Sequence, residues 1–198
     1  MLGYKINEIF YSLQGEGANT GTPAIFIRFA GCNLKCPFCD TDFTKFQVWN
    51  LREIEAWLGE QEHLPDLVVL TGGEPTLQID DKLCELLHLF FHTIAIETNG
   101  THRVLESVDF ITFSPKDDFC GNAESIIGSA NEVKVVFDGE RNPEFWHTHI
   151  TADYYYLQPC DTGEENKNKD IREKLIEYIK EHPWWRLSLQ TQKILKVR

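Results

Sequence analysis

The sequence predicts an α/β fold in which a parallel sheet is covered by helices. Two observations carry that expectation. Short apolar runs recur along the chain, at 67–70 (Leu-Val-Val-Leu), 94–96, 110–113, 133–137 and 154–157, separated by helical patterns or short crossovers. Four of these runs exit into glycine, proline or polar residues: Thr71-Gly72-Gly73-Glu74-Pro75, Glu97-Thr98-Asn99-Gly100, Ser114-Pro115-Lys116 and Gln158-Pro159. In a parallel sheet those exits share one edge, and ligand sites form there.

Taken in order, residues 4–13 alternate enough to predict an N-terminal strand, ending in the turn Gln14-Gly15-Glu16-Gly17. By itself that turn is an ordinary hairpin. A second turn, Gly21-Thr22-Pro23, precedes an apolar strand over 24–30 that carries Arg28. Asn50, with Glu53 three residues on, caps a helix over 51–60. The run 67–70 reads as a strand buried on both faces. Leu83, Leu86, Leu87 and Phe90 share one face of a helix over about 79–91. A long helix is expected over about 168–181, stopped at His182-Pro183, with a last strand over 186–189. The chain is expected to be a single domain spanning 1–198.

Composition bounds the partners. The 198 residues are 42% hydrophobic and 25% charged, ordinary globular values. The formal charge is -12, from 31 acidic and 19 basic residues. That balance argues against direct nucleic-acid binding, which needs clustered cations to neutralise phosphates. With no apolar stretch long enough to span a bilayer and no leader pattern, a cytoplasmic location without membrane contact is expected.

Three of the six cysteines, Cys32, Cys36 and Cys39, fall in a C-x3-C-x2-C loop directly after the strand 24–30. A structural zinc site takes four protein ligands, and a ferredoxin-type run carries a fourth cysteine. Three thiolates on a cubane cluster leave one iron without a protein ligand, which is a place for chemistry. Cys84, Cys120 and Cys160 are scattered and read as small buried hydrophobes.

Cys32, Cys36 and Cys39, with Gly72-Gly73-Glu74-Pro75 downstream, resemble the cluster loop and "GGEP" segment of the radical S-adenosylmethionine (radical SAM) superfamily. The resemblance implies a partial (βα)6-type radical SAM barrel. Short intervals, such as 101–109 and 118–132, further imply a barrel reduced in helices, with the first strand as an N-terminal extension. It also implies a 4Fe-4S cluster held by the three cysteines, its open iron chelated by SAM. The glycines are expected to let the backbone approach the cofactor.

Glu8-Ile9-Phe10-Tyr11-Ser12-Leu13-Gln14-Gly15-Glu16-Gly17, Gly21-Thr22-Pro23 through Arg28, and Gly31-Cys32-Asn33-Leu34 narrow the resemblance to the 7-carboxy-7-deazaguanine synthase family. Cys39-Asp40-Thr41, the strand exits and Ser188-Leu189-Gln190-Thr191 extend it over nearly the whole chain. By that resemblance the activity is ring contraction of 6-carboxy-5,6,7,8-tetrahydropterin to 7-carboxy-7-deazaguanine with loss of ammonia, a carbon–nitrogen lyase step in 7-deazapurine and queuosine biosynthesis for tRNA modification. A SAM-derived radical takes the hydrogen from C6 and SAM is restored. The same resemblance makes Leu13, Gln14, Gly15, Arg28 and Thr71 substrate contacts, with Arg28 as the fork for the carboxylate. A salt bridge from Arg28 to an acidic neighbour is the structural alternative. Phe38, Cys39, Asp40, Gly73, Ser114, Pro115, Lys116 and Gln158 would line SAM, and Thr41 would ligate Mg2+. A homodimer and a flavodoxin- or ferredoxin-type reductant are implied as partners.

One departure concerns the chain end. The family commonly has Gln-Thr-His-Lys, whereas this chain has Gln190-Thr191-Gln192-Lys193 and continues to Arg198, so a substrate role for Arg198 is not carried over. Two other functions compete for the cysteine loop: a glycyl-radical-enzyme activase and a non-catalytic, metal-stabilised binding module. The activase gives no reason for Gln14-Gly15-Glu16-Gly17 together with Arg28. His88 and His92 lack the intervening Glu of a zinc-protease helix. His147 and His149 read as a surface loop beside Trp146, and Trp184-Trp185 as core or dimer contact.

Overall fold

A computed structural model describes residues 3–42 and 45–197. Its centre is one open sheet of nine strands in the order β3-β1-β2-β4-β5-β6-β7-β8-β9. The N-terminal strand β1 (Tyr4–Leu13) pairs antiparallel with β2 (Pro23–Phe29) and with the short edge strand β3 (Gln47–Trp49). From β2 onward every neighbour is parallel: β4 (Leu67–Gly72), β5 (Thr93–Thr98), β6 (Phe110–Phe113), β7 (Ser129–Phe137), β8 (Thr151–Pro159) and β9 (Trp185–Leu187). This is the expected partial barrel with an N-terminal extension. The crossovers 99–109 and 114–128 are loops, as their shortness requires.

Helices cover one face. In α1 (Leu51–Gly59), Ile54 and Leu58 lie one turn apart and are fully buried. Asn50 and Glu53 form the reciprocal capping box that starts it. The helix α2 (Asp81–Leu87) is shorter than predicted, because the Asp80 carboxylate accepts from the Leu83 N–H and fixes its start there. After His88 the chain tightens into a turn and Leu89 is exposed. The helix α4 (Glu165–Glu181) presses Ile171 and Leu175 onto the sheet.

Two helices and one strand are absent from the sequence reading. The segment read as a surface loop around His147 and His149 is α3 (Glu144–His149), which buries Trp146. Glu144 accepts from the Trp185 Nε1–H (2.6 Å) and the Tyr178 hydroxyl (2.9 Å), so its partners come from distant elements. Trp185 is core, whereas Trp184 is 42% exposed. The other missed elements are β3 and α5 (Thr191–Leu195).

Strand alternation separates two faces. Ile25, Ile27, Phe29, Val68, Leu70, Ile94 and Ile96 pack under the helices. The opposite face begins apolar, with Phe10, Ala24, Phe26, Leu67, Val69 and Ala95. Toward the C-terminal edge that face turns polar two residues at a time: Phe26 gives way to Arg28, Val69 to Thr71, Ala95 to Glu97, and Phe110 to Thr112. The chemistry of the site is set by this gradient. Among the described residues no helix is long and apolar enough to cross a membrane.

The exits of β4 and β5 are tied together by Glu74, which is fully buried. Its carboxylate accepts from the Thr76 N–H (3.1 Å), the Thr76 hydroxyl (2.6 Å), the Thr98 hydroxyl (2.8 Å) and the Asn99 N–H (2.7 Å). Truncation strands those donors without water. The Glu74→Ala variant should lose about 3 kcal/mol of unfolding free energy in a denaturant titration; an unchanged midpoint would contradict this role.

Candidate active site

The cysteine loop leaves β2, and the exits of β4 to β8 complete the same rim. Together they enclose a cavity of about 1120 Å3. Every residue predicted for substrate, SAM, Mg2+ or cluster lines it, except Pro115. That proline is buried, holding the β6 exit on which Ser114 and Lys116 face the cavity.

The glycine pair, which lines the cavity, also answers to protein backbone. A Cβ on Gly73 would lie 1.8 Å from the Gly31 carbonyl oxygen, and one on Gly72 would lie 2.2 Å from that of Phe29. Gly72 also takes a φ of +119°. The backbone that demands glycine here is therefore the root of the cysteine loop, clasped by the Gly73 N–H on Phe29 O (2.9 Å) and the Glu74 N–H on Gly31 O (3.0 Å). Asn99 completes the brace by donating to Asn33 Oδ1 at 3.1 Å.

Among the described residues no three His, Cys, Asp or Glu side chains are grouped closely enough to hold a metal ion. The three thiols face one cavity but do not converge on a point. Burial pushes the Cys36 thiol up to about 12 and also raises Cys32. Such neutral sulfurs take local partners: the Leu34 N–H donates to Cys32 Sγ (3.4 Å), and Cys36 Sγ lies 3.6 Å from Cys120 Sγ. The donor set still fits an iron–sulfur cluster. It comprises three soft thiols within eight residues on one loop, and a glycine cradle roots that loop.

Arg28 forms the salt bridge given above as the alternative, with Nε 3.0 Å from Glu8 Oε1, and its guanidinium lies 5.7 Å over the Phe10 ring. It lines the cavity as well, so structural pairing and ligand access coexist. The hairpin turn Gln14-Gly15-Glu16-Gly17 is likewise part of the cavity wall, through Gln14, Gly15 and Glu16. The C-terminal segment packs against this turn and lines the cavity as well, through Gln190, Gln192 and Lys193, while Thr191 donates its N–H and hydroxyl to Gly15 O (3.1 and 2.8 Å). Gln192 packs so closely that a Cβ on Gly15 would meet its side-chain oxygen at 1.8 Å. Lys193 reaches Asp40 (2.8 Å) and Asp161 (3.6 Å). Arg198 lies outside the described residues.

Sequence reasoning missed the polar centre of the cavity. Lys134, buried in β7, donates to Glu16 Oε2 (2.6 Å) and Glu97 Oε1 (3.3 Å). Glu97 also accepts from the Thr71 hydroxyl (2.7 Å) and the Gln14 amide (3.3 Å), which joins two predicted substrate contacts. Glu132 accepts from the Thr112 hydroxyl and the Ala18 N–H and locks the first turn to the sheet. The signal was available: Glu132 and Lys134 alternate with Val133 and Val135, which lie on the buried face of β7.

Burial works against charge on Glu16, yet the Lys134 ammonium and the Gln192 and Gln190 amides outweigh it and hold the carboxyl down at about 2. On Lys134 burial is likewise outweighed, by Glu16 and Glu97, and its pKa is raised. Desolvation brings Lys116, which donates to the Ser114 carbonyl at 2.7 Å, down to about 8.

These geometries define a class. The chain matches the Radical SAM superfamily over residues 26–125, half of its length, and so belongs to that superfamily, whose members use a 4Fe-4S cluster and SAM. Within it, the 7-carboxy-7-deazaguanine synthase of Bacteroides thetaiotaomicron is 44% identical over 195 residues, covering 98% of each chain. That of Burkholderia multivorans is 41% identical over 217 residues, covering 98% of this chain and 99% of its own. The crystal structure of QueE from Escherichia coli superposes with a TM-score of 0.72 at 31% identity, covering 94% of this chain and 93% of that one. Streptococcus suis SuiB shares the fold alone, with a TM-score of 0.51 at 14% identity over 81% of this chain and 47% of its own. The protein belongs to the 7-carboxy-7-deazaguanine synthase family.

Acid should expose the Glu16–Lys134 pair. A carboxyl with a lowered folded pKa stabilises above its unfolded value of 4.5, and that contribution is lost as pH falls toward about 2. The Glu16→Gln variant should therefore lose stability at pH 6 and show a flatter stability profile between pH 4.5 and 2 in urea titrations. A profile parallel to the native one would contradict the pairing.

Proposed function

We propose that this chain contracts the ring of 6-carboxy-5,6,7,8-tetrahydropterin to give 7-carboxy-7-deazaguanine and ammonia, a lyase step in 7-deazapurine and queuosine biosynthesis. The observation that carries this reading is the joining of the cysteine loop to Arg28, Thr71, Gln14 and Glu97 around one cavity.

When bound, the cluster and SAM supply the electron and the hydrogen-abstracting radical. The residues of the chain do the rest. Cys32, Cys36 and Cys39 hold the cluster. Arg28 offers the substrate carboxylate a charge-assisted pair, taking it over from Glu8. Thr71, Gln14 and Glu97 present both donors and acceptors to the N–H and C=O edge of a pterin, with Leu13 and Gly15 closing the same wall. Lys134 keeps Glu16 ionised and donates to Glu97 as well, so both carboxyls are held in place beside the cavity. Phe10 and Phe26, stacked with centroids 5.1 Å apart, form a dry floor. Lys116, brought down to about 8, can hold or release a proton near neutrality.

Phe38, Cys39, Asp40, Gly73, Ser114, Lys116 and Gln158 line the part of the cavity assigned to SAM, with Pro115 behind them. Thr41 offers a hydroxyl for Mg2+, a hard cation suited to oxygen. The active form is assigned as a cytoplasmic homodimer of single-domain chains, reduced by a flavodoxin- or ferredoxin-type protein.

Anaerobic turnover of the cluster-loaded protein with SAM, Mg2+, reductant and 6-carboxytetrahydropterin should yield 7-carboxy-7-deazaguanine by mass spectrometry. The Arg28→Ala variant should lose about 10- to 100-fold in kcat/KM while retaining SAM cleavage, and Cys36→Ala should lose both. Deoxyadenosine without the deazaguanine product would overturn the substrate assignment.

A further inference from the structure

Cys120 has no part in the reading above, yet its sulfur lies 3.6 Å from that of Cys36 across 84 residues of sequence. Cys120 is 5% exposed, whereas Cys36 is half-buried and opens into the cavity. Packing on both sides holds the two loops together. The Phe119 ring meets Phe38 edge-on at 4.8 Å, and the Arg141 guanidinium covers Phe119 at 4.4 Å. The Cys120 N–H donates to Lys116 O at 2.9 Å. A disulfide needs a sulfur–sulfur distance of about 2 Å, so the two sulfurs must approach by about a further 1.6 Å to bond. The hydrogen-bond partners of Cys32 and Cys39 are nitrogens and oxygens instead.

We propose that Cys36 and Cys120 are a redox pair in the metal-free chain, closed to a disulfide by peroxide and reopened by a dithiol. Peroxide converts the accessible Cys36 thiol to a sulfenic acid and leaves as water. The Cys120 sulfur then displaces the hydroxyl from Cys36, the S–S bond forms, and a second water carries off the Cys120 proton. Two thiols lose two electrons and two protons, and one peroxide takes them. Of the two sulfurs only that of Cys36 opens into the cavity, so it meets peroxide first, slowly because burial keeps its thiol neutral, and Cys120 resolves it. The disulfide removes one thiolate from the cluster loop and blocks cluster assembly, while keeping Cys36 off the irreversible sulfinic and sulfonic steps. The block on assembly rests on the reading of Cys36 as a cluster ligand; formation of the bond does not.

The test oxidises full-length, metal-free protein with excess hydrogen peroxide, then maps disulfides by mass spectrometry without reduction. Iron and sulfide uptake is measured in parallel, before and after dithiothreitol. The expected result is a Cys36–Cys120 link, loss of iron uptake, and full recovery on reduction. The Cys120→Ser and Cys120→Ala variants, checked for folding by circular dichroism, should form no such link and should lose iron uptake without recovery. Links among Cys32, Cys36 and Cys39 with Cys120 unmodified would overturn the proposal. So would variants that recover uptake as fully as the native chain. Reduced native protein that takes up no iron would instead sink the cluster assignment, leaving the disulfide map to stand or fall separately.

Discussion

The site depends on a carboxylate that never meets solvent. Glu74 is fully buried, and removing an ionised group from water is costly unless its lone pairs are used. Four donors from Thr76, Thr98 and Asn99 use them. The arrangement fixes where β4 and β5 end relative to each other. One residue earlier, Gly73 packs on the Gly31 carbonyl, so the same knot fixes the root of the cysteine loop. Three segments far apart in sequence thus leave the sheet in one relative placement. The cysteine loop can then be held in place without any helix of its own.

Above that knot, function follows from strand parity. A parallel strand has one face toward the helices and one toward the open side. On the open side the side chains pass from Phe26, Val69 and Ala95 to Arg28, Thr71 and Glu97 within one further step of two residues. A dry floor and a charged wall are therefore parts of the same strands. The chain carries a net charge of -12, yet cations are placed where they matter: Arg28, Lys116 and Lys134 all face the cavity. Lys134 between Glu16 and Glu97 shows the logic. A buried lysine alone would shed its proton, but with two carboxylates at 2.6 and 3.3 Å it stays charged, and in return it holds the Glu16 carboxyl ionised.

Much of this was legible in sequence because it is local. The C-x3-C-x2-C loop, the Gly72-Gly73 turn and the apolar runs announce themselves within a few residues, and strand alternation carries them to one edge. What was not legible depends on tertiary partners. Helix α3 has little apolar periodicity and forms around Trp146 because Glu144 is gripped by Tyr178 and Trp185. The strand β3 is three residues long and exists only by pairing with β1. Glu97 was visible in its motif but not as the partner of Lys134, since nothing in sequence brings β5 and β7 to one side of a cavity. The glycine pair was legible as a motif, but its close approach to the Phe29 and Gly31 backbone was not. Cys120, read as a small hydrophobe, is buried as expected, but its nearness to Cys36 arises only when the β2 and β6 exits meet.

The central claim is that three thiols on a braced loop hold a cluster with one iron left open to the cavity. Mössbauer spectroscopy of the iron-57-reconstituted protein, with and without SAM, tests it most directly. The account predicts a 4Fe-4S spectrum in which one iron site changes on SAM addition while the other three stay put. A spectrum indifferent to SAM, or protein that binds zinc and refuses iron, would contradict it.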